Sequence, residues 1–310
     1  MKIAVWGGGS LGLLWSARLA DKFDRLLLVT RTGRQAEAIN RNGIDLTTVD
    51  GKQKKLRVRA RQVDLVGEDA PFDVILVMVK QIHLGKVFPL LQQVVHPNTL
   101  VLFFQNGWGH QSLLEELSCK CRTCLVVTTE GALKHGDYRV SHTGKGISRV
   151  GVFPGKQTDV PSGLSELLAK GFFQYDQNIL QRVWEKLAIN CVVNPLTAWY
   201  EIRNGELLNS KYDEEKKSIL TEVIHVVSLE ENRLSEQKMW KQIHQVCRHT
   251  AMNFSSMLQD IKNKRPTEIE FMNGAIVNLG RKHGVETPAN RLWVSRIREK
   301  ESSCYNVKNN

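Results

Sequence analysis

The sequence lacks any run of about 18 consecutive apolar residues, which is the length that a membrane-spanning helix needs. Its N-terminus also lacks the cleavage region of a signal peptide, because Met1 and Lys2 lead directly into a short apolar segment followed by glycines. Both absences argue against a membrane protein and against export. We therefore expect a cytoplasmic protein without a membrane partner.

Cysteine is scarce and unevenly placed. Three of the six cysteines fall in the segment C-K-C-R-T-C, at Cys119, Cys121 and Cys124, and the other three are isolated. This cluster lacks a second ligand pair at the spacing of a zinc finger, and it precedes a predicted strand. We predict no metal site and expect free thiols in a reducing compartment, while the role of the cluster stays open.

Basic residues outnumber acidic ones by 43 to 32, which gives a formal net charge of +11. Lysine and arginine are scattered along the chain, apart from the run K-K-L-R-V-R-A-R at residues 54–61. Charged and apolar residues alternate in this run, as they do along a β-strand with one solvated face. We therefore predict no nucleic-acid partner. A basic balance also suits a protein whose ligands are small polyanions.

A short apolar segment, I-A-V-W at residues 3–6, is followed by a glycine-rich turn and then by a helical pattern from about Leu13 to Lys22. Glycines at positions 7, 9 and 12 fit the dinucleotide-binding pattern G-x-G-x-x-G, although a flexible surface loop is the alternative. In that pattern the helix N-terminus faces a pyrophosphate. The candidate cofactor-binding residues of this turn are Gly7, Gly8, Gly9, Ser10, Leu11 and Gly12.

The next apolar segment, L-L-L-V-T at residues 26–30, ends at Arg31. In an NAD site an acidic residue at this point accepts a hydrogen bond from the adenosine ribose. A guanidinium cannot accept that bond, but it pairs well with a 2′-phosphate, and Arg34 lies near enough to assist. We therefore predict NADP(H) as the cofactor. The alternative is that Arg31 only solvates the strand end and that the cofactor is NAD.

Two further apolar segments predict central parallel strands, and each ends in polar residues. V-I-L-V-M-V at residues 74–79 is followed by Lys80, and L-V-L-F-F at residues 100–104 is followed by Gln105, Asn106 and Gly107. Ligands gather at the carboxyl ends of strands in such sheets. Lys80 and Asn106 are therefore candidates to contact the cofactor, and ordinary loop positions are the alternative.

Strand signals continue to about residue 176 and then give way to helical periodicity. The 310 residues are enough for two domains. We predict an α/β fold with a Rossmann-type dinucleotide-binding domain at residues 1–176 and an all-helical domain at residues 177–310. The predicted helices of the second domain cover residues 179–199, 206–234, 236–247 and 269–283.

The first of these helices carries an unusual polar stripe. Lys186, Asn190 and Asn194 are spaced by four residues and lie on one face, while Leu187 and Val193 are among their apolar neighbours. Buried polar groups need partners, and a ligand is one candidate. The alternative is a helix that crosses between domains and whose amides bond to loops.

Six separated motifs occur along the chain: G-G-G-S-L-G at 7–12, V-K at 79–80, Q-N-G at 105–107, K-L-A-I-N-C-V-V-N-P-L-T-A at 186–198, N-G-E-L at 204–207 and S-S-M-L-Q-D-I-K-N-K-R-P-T-E-I-E at 255–270. Together they resemble the 2-dehydropantoate 2-reductase (ketopantoate reductase) family over nearly the full length of the chain. The resemblance implies reduction of 2-dehydropantoate to (R)-pantoate by NADPH, in the route to pantothenate and coenzyme A.

The resemblance also implies roles for individual residues. Lys186 matches the catalytic lysine, and Glu268 matches the residue that holds the substrate hydroxyl. From the residues alone, Glu268 also fits an ordinary acidic residue at a helix start. Lys80 and Asn106 match groups between cofactor and substrate, and Arg31 matches the 2′-phosphate position. The implied substrate-binding residues are Asn106, Asn190, Asn194, Asn204, Ser256 and Glu268.

The chemistry of a keto-acid reduction requires these residue types. As hydride reaches C2, negative charge develops on the carbonyl oxygen, and an ammonium group such as that of Lys186 stabilises the charge and then donates a proton. The expected partner is a small 2-keto acid, and we expect a monomer or a weak homodimer. The alternatives are a reductase of another small branched 2-keto acid and a non-catalytic NADP-binding sensor.

Overall fold

The computed structural model describes residues 1–153 and 160–306. These residues form two compact units. One unit comprises Met1–Gln105 with His110–Ile179, and the other comprises Asn106–Gly109 with the chain from Leu180 onward. The second unit thus includes a four-residue segment that the sequence-based division at residues 176 and 177 assigned to the first domain.

All strands of the described residues lie in the first unit. The strands are β1 (Ile3–Trp6), β2 (Leu26–Thr30), β3 (Ile44–Thr47), β4 (Gln53–Leu56), β5 (Arg59–Gln62), β6 (Val74–Val77), β7 (Leu100–Phe103), β8 (Arg122–Thr128), β9 (Gly131–Lys134), β10 (Arg139–Gly144), β11 (Ser148–Phe153) and β12 (Gln174–Tyr175). The helices of both units are α1 (Ser10–Ala20), α2 (Gly33–Asn42), α3 (Gln81–Val94), α4 (Gln111–Ser118), α5 (Ser162–Ala169), α6 (Ile179–Tyr200), α7 (Asp213–Leu229), α8 (Glu236–His249), α9 (Ser256–Lys262), α10 (Asn273–Lys282) and α11 (Pro288–Asn306).

Eight strands form the main sheet in the order β12-β11-β8-β7-β6-β1-β2-β5. All neighbouring pairs are parallel except β8 and β11, and β1 is central, with Ile3 opposite Leu26 on one side and Val74 on the other. From β1 the chain first builds outward through β2 and later continues on the other side through β6. Ligands of such sheets bind where the strand order reverses, at the carboxyl ends of the strands. That point lies between β1 and β6.

A second, four-stranded sheet in the order β4-β3-β10-β9 packs against α1. It changes the interpretation of the basic run at residues 54–61, which the alternating pattern predicted to be one strand. The run is divided between β4 in the small sheet and β5 in the large sheet. The alternation itself is correct, because Val58 and Ala60 are buried while Arg57 and Arg59 are exposed.

The second unit is helical, as predicted, and its core is built mainly from α6, α7, α8, α9 and α11. The single helix expected at residues 206–234 is divided into two short 3-10 helices, Asn204–Leu208 and Ser210–Tyr212, followed by α7. Buried Leu207 and Tyr212 lie in these short turns, so the apolar residues are buried without a continuous helix. Among the described residues, no helix has the length and apolar character that crossing a bilayer requires.

Candidate active site

The glycine turn after β1 requires glycine for reasons that the structure makes explicit. Gly7 has a φ of +124°, and a Cβ there would lie 2.9 Å from the backbone of Met78. A Cβ at Gly12 would lie 1.6 Å from the carbonyl oxygen of Gly7, so α1 packs directly on the turn. A Cβ at Gly9 would meet no protein atom within 4 Å, which leaves close approach by a ligand as the reason for this glycine.

The same turn presents the amino end of α1. Gly9 is the N-cap of this 11-residue helix and provides no side-chain hydrogen bond to its first turn. The free N–H groups of such an end bind phosphate well. The carbonyl oxygen of Gly8 is held by protein donors, since Gln35 Nε2 and Lys134 Nζ each donate to it at 2.8 Å. The turn therefore fits the pyrophosphate of a dinucleotide.

Basic side chains lie at the carboxyl ends of β2 and β6. Arg31 follows β2 and is exposed, and half-buried Lys80 follows β6 as the N-cap of α3. Burial lowers the pKa of His83, and the charges of Arg31 and Lys80 lower it further. Arg34 forms an ion pair of 3.4 Å with Asp137. The carboxyl edge of the sheet is thus positively charged, as binding of a 2′-phosphorylated dinucleotide requires.

The Q-N-G segment is divided between the two units after its first residue. Gln105 belongs to the first unit, where its Nε2 donates to the carbonyl oxygens of Val77 at 3.1 Å and Val79 at 2.9 Å. Asn106, which is half-buried, belongs to the helical unit together with Gly107. The sequence predicts that Asn106 contacts both cofactor and substrate, and the structure groups it with the unit that carries Lys186.

Helix α6 positions the predicted polar stripe. Lys186 and Asn190 are half-buried, and Asn194 is buried with its Nδ2 3.4 Å from the sulfur of Met272. Leu187 and Val193 on neighbouring positions are buried in the core of the helical unit. The stripe is therefore not an ordinary solvated helix face.

Lys186 has an unusual acid–base equilibrium. Removal from bulk water lowers its pKa from 10.5 to about 8, and the negative charge of Glu268 opposes this shift. Glu268 is itself buried and is the N-cap of a 3-10 turn at Ile269–Phe271. A lysine with a pKa near 8 remains mostly protonated at neutral pH, yet releases its proton more readily than an ordinary lysine.

The other predicted substrate-binding residues lie in the same unit. Asn204 is buried; its Nδ2 donates to Thr250 Oγ1 at 2.9 Å, and its Oδ1 has no partner among the described residues. Ser256 is the exposed first residue of α9. The neighbouring Ser255 is buried, caps α9 and accepts a hydrogen bond of 2.7 Å from Thr197. Of the two serines, only Ser256 has a hydroxyl that solvent can reach from this surface.

Sequence reasoning missed the residues that hold these groups in place. Gln35 and Lys134 fix the glycine turn from distant parts of the chain, and no local pattern marks them. The cysteine cluster contributes little chemistry. Burial raises the pKa of Cys121 and Cys124 to about 12. Within residues 1–153 and 160–306, no group of three or more histidine, cysteine or acidic side chains is placed to hold a metal ion.

Comparison with known proteins finds relatives that match nearly the full length of the chain. Residues 3–155 match the sequence signature of the family "Ketopantoate reductase PanE/ApbA", and residues 178–301 match that of "Ketopantoate reductase PanE/ApbA C terminal". The 2-dehydropantoate 2-reductase of Vibrio cholerae is 31% identical over 306 residues, which cover 98% of this chain and 99% of the relative. That of Listeria innocua is 33% identical over 303 residues, 96% of each chain.

Solved structures show the same fold. A probable 2-dehydropantoate 2-reductase from Bacillus subtilis superposes with a TM-score of 0.83 at 30% identity, over 97% of this chain and 100% of its own. A D-mandelate dehydrogenase bound to NADH and anilino(oxo)acetate superposes with a TM-score of 0.91 at 24% identity, over 98% and 100%. The second likeness concerns the fold alone. The family and the two-part fold expected from the sequence are confirmed.

Proposed function

The chain belongs to the ketopantoate reductase family, and from this premise we propose that it reduces 2-dehydropantoate to (R)-pantoate. It is an oxidoreductase that acts on CH–OH groups and uses NADP(H). The observation that carries the proposal is the face of α6 on which Lys186, Asn190 and Asn194 lie, together with the electrostatic interaction of Lys186 with buried Glu268 and the lowering of the Lys186 pKa to about 8. Asparagines occupy the rest of the same helix face.

Lys186 is the proton donor in this proposal. Bound at the glycine turn, the dinucleotide would supply the hydride for C2 of the keto acid, and negative charge would then develop on the carbonyl oxygen. The ammonium of Lys186 stabilises that oxygen as its negative charge grows, and then transfers a proton to it. Solvent reprotonates the lysine. The products are a 2-hydroxy acid and the oxidised cofactor, so one hydride and one proton account for the reduction.

The remaining groups bind the substrate without adding charge. The amides of Asn190, Asn194 and Asn204 offer donors and acceptors for carboxylate and hydroxyl oxygens. Asn204 Oδ1 is buried and has no partner among the described residues, as expected for an atom that binds a ligand donor. Glu268 accepts the terminal hydroxyl of the substrate in this scheme, and Ser256 and Asn106 complete the site.

The proposal is tested by steady-state assays of NADPH oxidation. We expect turnover with 2-dehydropantoate and a much lower kcat/KM with 3,3-dimethyl-2-oxobutanoate, which lacks only the terminal hydroxyl. Lys186→Ala is expected to lower kcat by at least about 10²-fold while NADPH affinity changes little. Lys186→Arg, which keeps the charge but is a far weaker acid, is expected to recover only part of the rate.

Three results would contradict this assignment. Turnover of other branched keto acids without turnover of 2-dehydropantoate would identify a different substrate. NADPH binding without turnover of any keto acid would identify a sensor. An equal loss of NADPH binding in Lys186→Ala would remove the proton-donor role. We also propose a monomer or weak homodimer, which sedimentation velocity over a range of protein concentrations tests.

A further inference from the structure

The segment Asn106–Gly109 packs on the catalytic elements of the helical unit at two points. The backbone N–H of Trp108 donates to the carbonyl oxygen of Phe271 at 2.8 Å. The indole ring of Trp108 lies against that of Trp184, with ring centroids 4.0 Å apart. These contacts explain why the four residues belong to this unit although the residues on either side of them do not.

Both contact points lie close in sequence to proposed reacting groups. Trp184 precedes Lys186 by two residues on α6, and Phe271 follows Glu268 by three residues. The backbone N–H of Phe271 donates to the carbonyl oxygen of Glu268 at 3.0 Å, so Phe271 and Glu268 belong to one short turn. The segment is therefore fastened to both of the elements that carry Lys186 and Glu268.

Gly107 makes this close packing possible. It has a φ of +86°, and a Cβ there would lie 2.1 Å from the carbonyl oxygen of Phe271. Any larger residue would push the segment away from the turn. Asn106 is the residue immediately before Gly107 and Trp108.

We propose that Trp108 is a positioning residue, which places Asn106 for substrate binding by packing on Trp184 and bonding to Phe271. This inference rests on the proposed function, since it gives Asn106 a substrate to bind. A large aromatic ring suits the task because its buried area holds a short loop segment with few rotatable bonds. Misplacing a substrate group by about 1 Å costs on the order of 10²-fold in rate.

The main test is a double-mutant cycle between Trp108 and Asn106. Trp108→Leu is expected to raise KM for the keto acid and to lower kcat/KM by about 10-fold or more, while the Kd of NADPH changes little. In an Asn106→Ala background the same substitution is expected to have almost no further effect, because the group it positions is gone. Equal effects of Trp108→Leu in both backgrounds would overturn the proposal.

A matched control separates positioning from a general loss of stability. Trp240 is also a half-buried tryptophan of the helical unit, and it packs on His244 with centroids 4.7 Å apart. Trp240→Leu is expected to leave KM for the keto acid unchanged even if the protein melts at a lower temperature. If Trp240→Leu raised KM as much as Trp108→Leu does, the specific role of Trp108 would be refuted.

Hydrogen exchange gives a readout that needs no turnover, so it distinguishes failure of this inference from failure of the proposed function. In Trp108→Leu, and more strongly in Gly107→Ala, amides of the peptide spanning residues 104–110 are expected to exchange faster than in the parent protein. Unchanged exchange in both variants would overturn the positioning role, whichever substrate the enzyme uses.

Discussion

At the scale of single residues, the protonation state of Lys186 determines when the proposed reaction can proceed. Its pKa is lowered to about 8, so the ammonium predominates at neutral pH and is lost as the pH rises through this value. The rate of keto-acid reduction should therefore fall on the alkaline side of about pH 8. The charge of Glu268 raises the pKa of Lys186, so Glu268→Gln should move the alkaline limb to lower pH.

A pH profile of kcat/KM for each variant measures this shift. Glu270→Gln is the matched control, because Glu270 lies in the same short turn but its carboxylate pairs with Arg298 at 2.5 Å. Its profile should coincide with that of the parent enzyme. A profile of Glu268→Gln with an unmoved or a raised alkaline limb would mean that Lys186 does not supply the titrating proton.

Arg31 is the residue on which the choice of cofactor depends. A charge-assisted pair with the 2′-phosphate contributes about 2 kcal/mol, so Arg31→Ala should reduce the preference for NADPH over NADH by roughly 30-fold. The ratio of kcat/KM for the two cofactors measures this. Arg34→Ala should have a smaller effect, since Arg34 already pairs with Asp137. An unchanged ratio in Arg31→Ala would assign the 2′-phosphate to other residues.

The residues of the site differ in how far the sequence alone could identify them. Lys186, Asn190 and Asn194 were placed on one face because a helix fixes their spacing, and α6 is such a helix. Glu268 was ambiguous, because its interaction with Lys186 crosses 82 positions (268 − 186) that no local pattern spans. The packing of Trp108 on Trp184 could not be predicted for the same reason, because the two residues are far apart in the sequence.

At the scale of secondary-structure elements, Glu222 of α7 holds the amino end of α11. Its carboxylate accepts from the backbone N–H groups of Ala289 at 2.7 Å and Asn290 at 2.9 Å. These are donors that the helix itself leaves unpaired, and a negative charge there also favours the helix dipole. Glu222→Ala should therefore lower the free energy of unfolding by about 2 kcal/mol.

Differential scanning calorimetry tests this contribution through the Tm. Glu299→Ala removes an exposed carboxylate in α11 and should leave the Tm almost unchanged. If Glu222→Ala and Glu299→Ala had the same Tm, the cap would contribute nothing measurable to the free energy of unfolding.

Helices and strands were predicted well where a local sequence pattern determines them, and poorly where pairing with distant strands determines where an element begins and ends. The strand, glycine turn and helix at the start of the chain follow from apolar spacing and from glycines that the turn requires. The run at residues 54–61 was predicted as one strand, because its alternation continues while the chain passes from one sheet to the other between Leu56 and Arg59. Only the pairing partners, β3 for β4 and β2 for β5, reveal that break.

At the scale of the whole molecule, the proposed cofactor-binding residues and most of the proposed substrate-binding residues lie in different units. The first carries the glycine turn with Arg31 and Lys80, and the second carries Lys186, Glu268 and the asparagines. Composition predicted two domains, but it could not show that Asn106–Gly109 belongs with the later half of the chain. That assignment depends on backbone packing against Phe271, which a residue count does not reveal.

The net charge of +11 leads to a final prediction about cofactor binding. NADPH is a polyanion, and a positively charged protein attracts it over distances set by the screening length of the solution. That length falls from about 30 Å at 0.01 M salt to about 3 Å at 1 M. The Kd of NADPH should therefore rise steadily with ionic strength, as measured by protein fluorescence titration at constant pH. In Arg31→Ala the Kd of NADPH should depend less steeply on ionic strength, because one of the contributing charges is gone. Lys120→Ala is the control, because it removes an exposed charge beyond the end of α4, and its Kd should depend on ionic strength nearly as in the parent protein. A Kd that did not change with salt would mean that neutral contacts, and not the cations at the sheet edge, dominate binding.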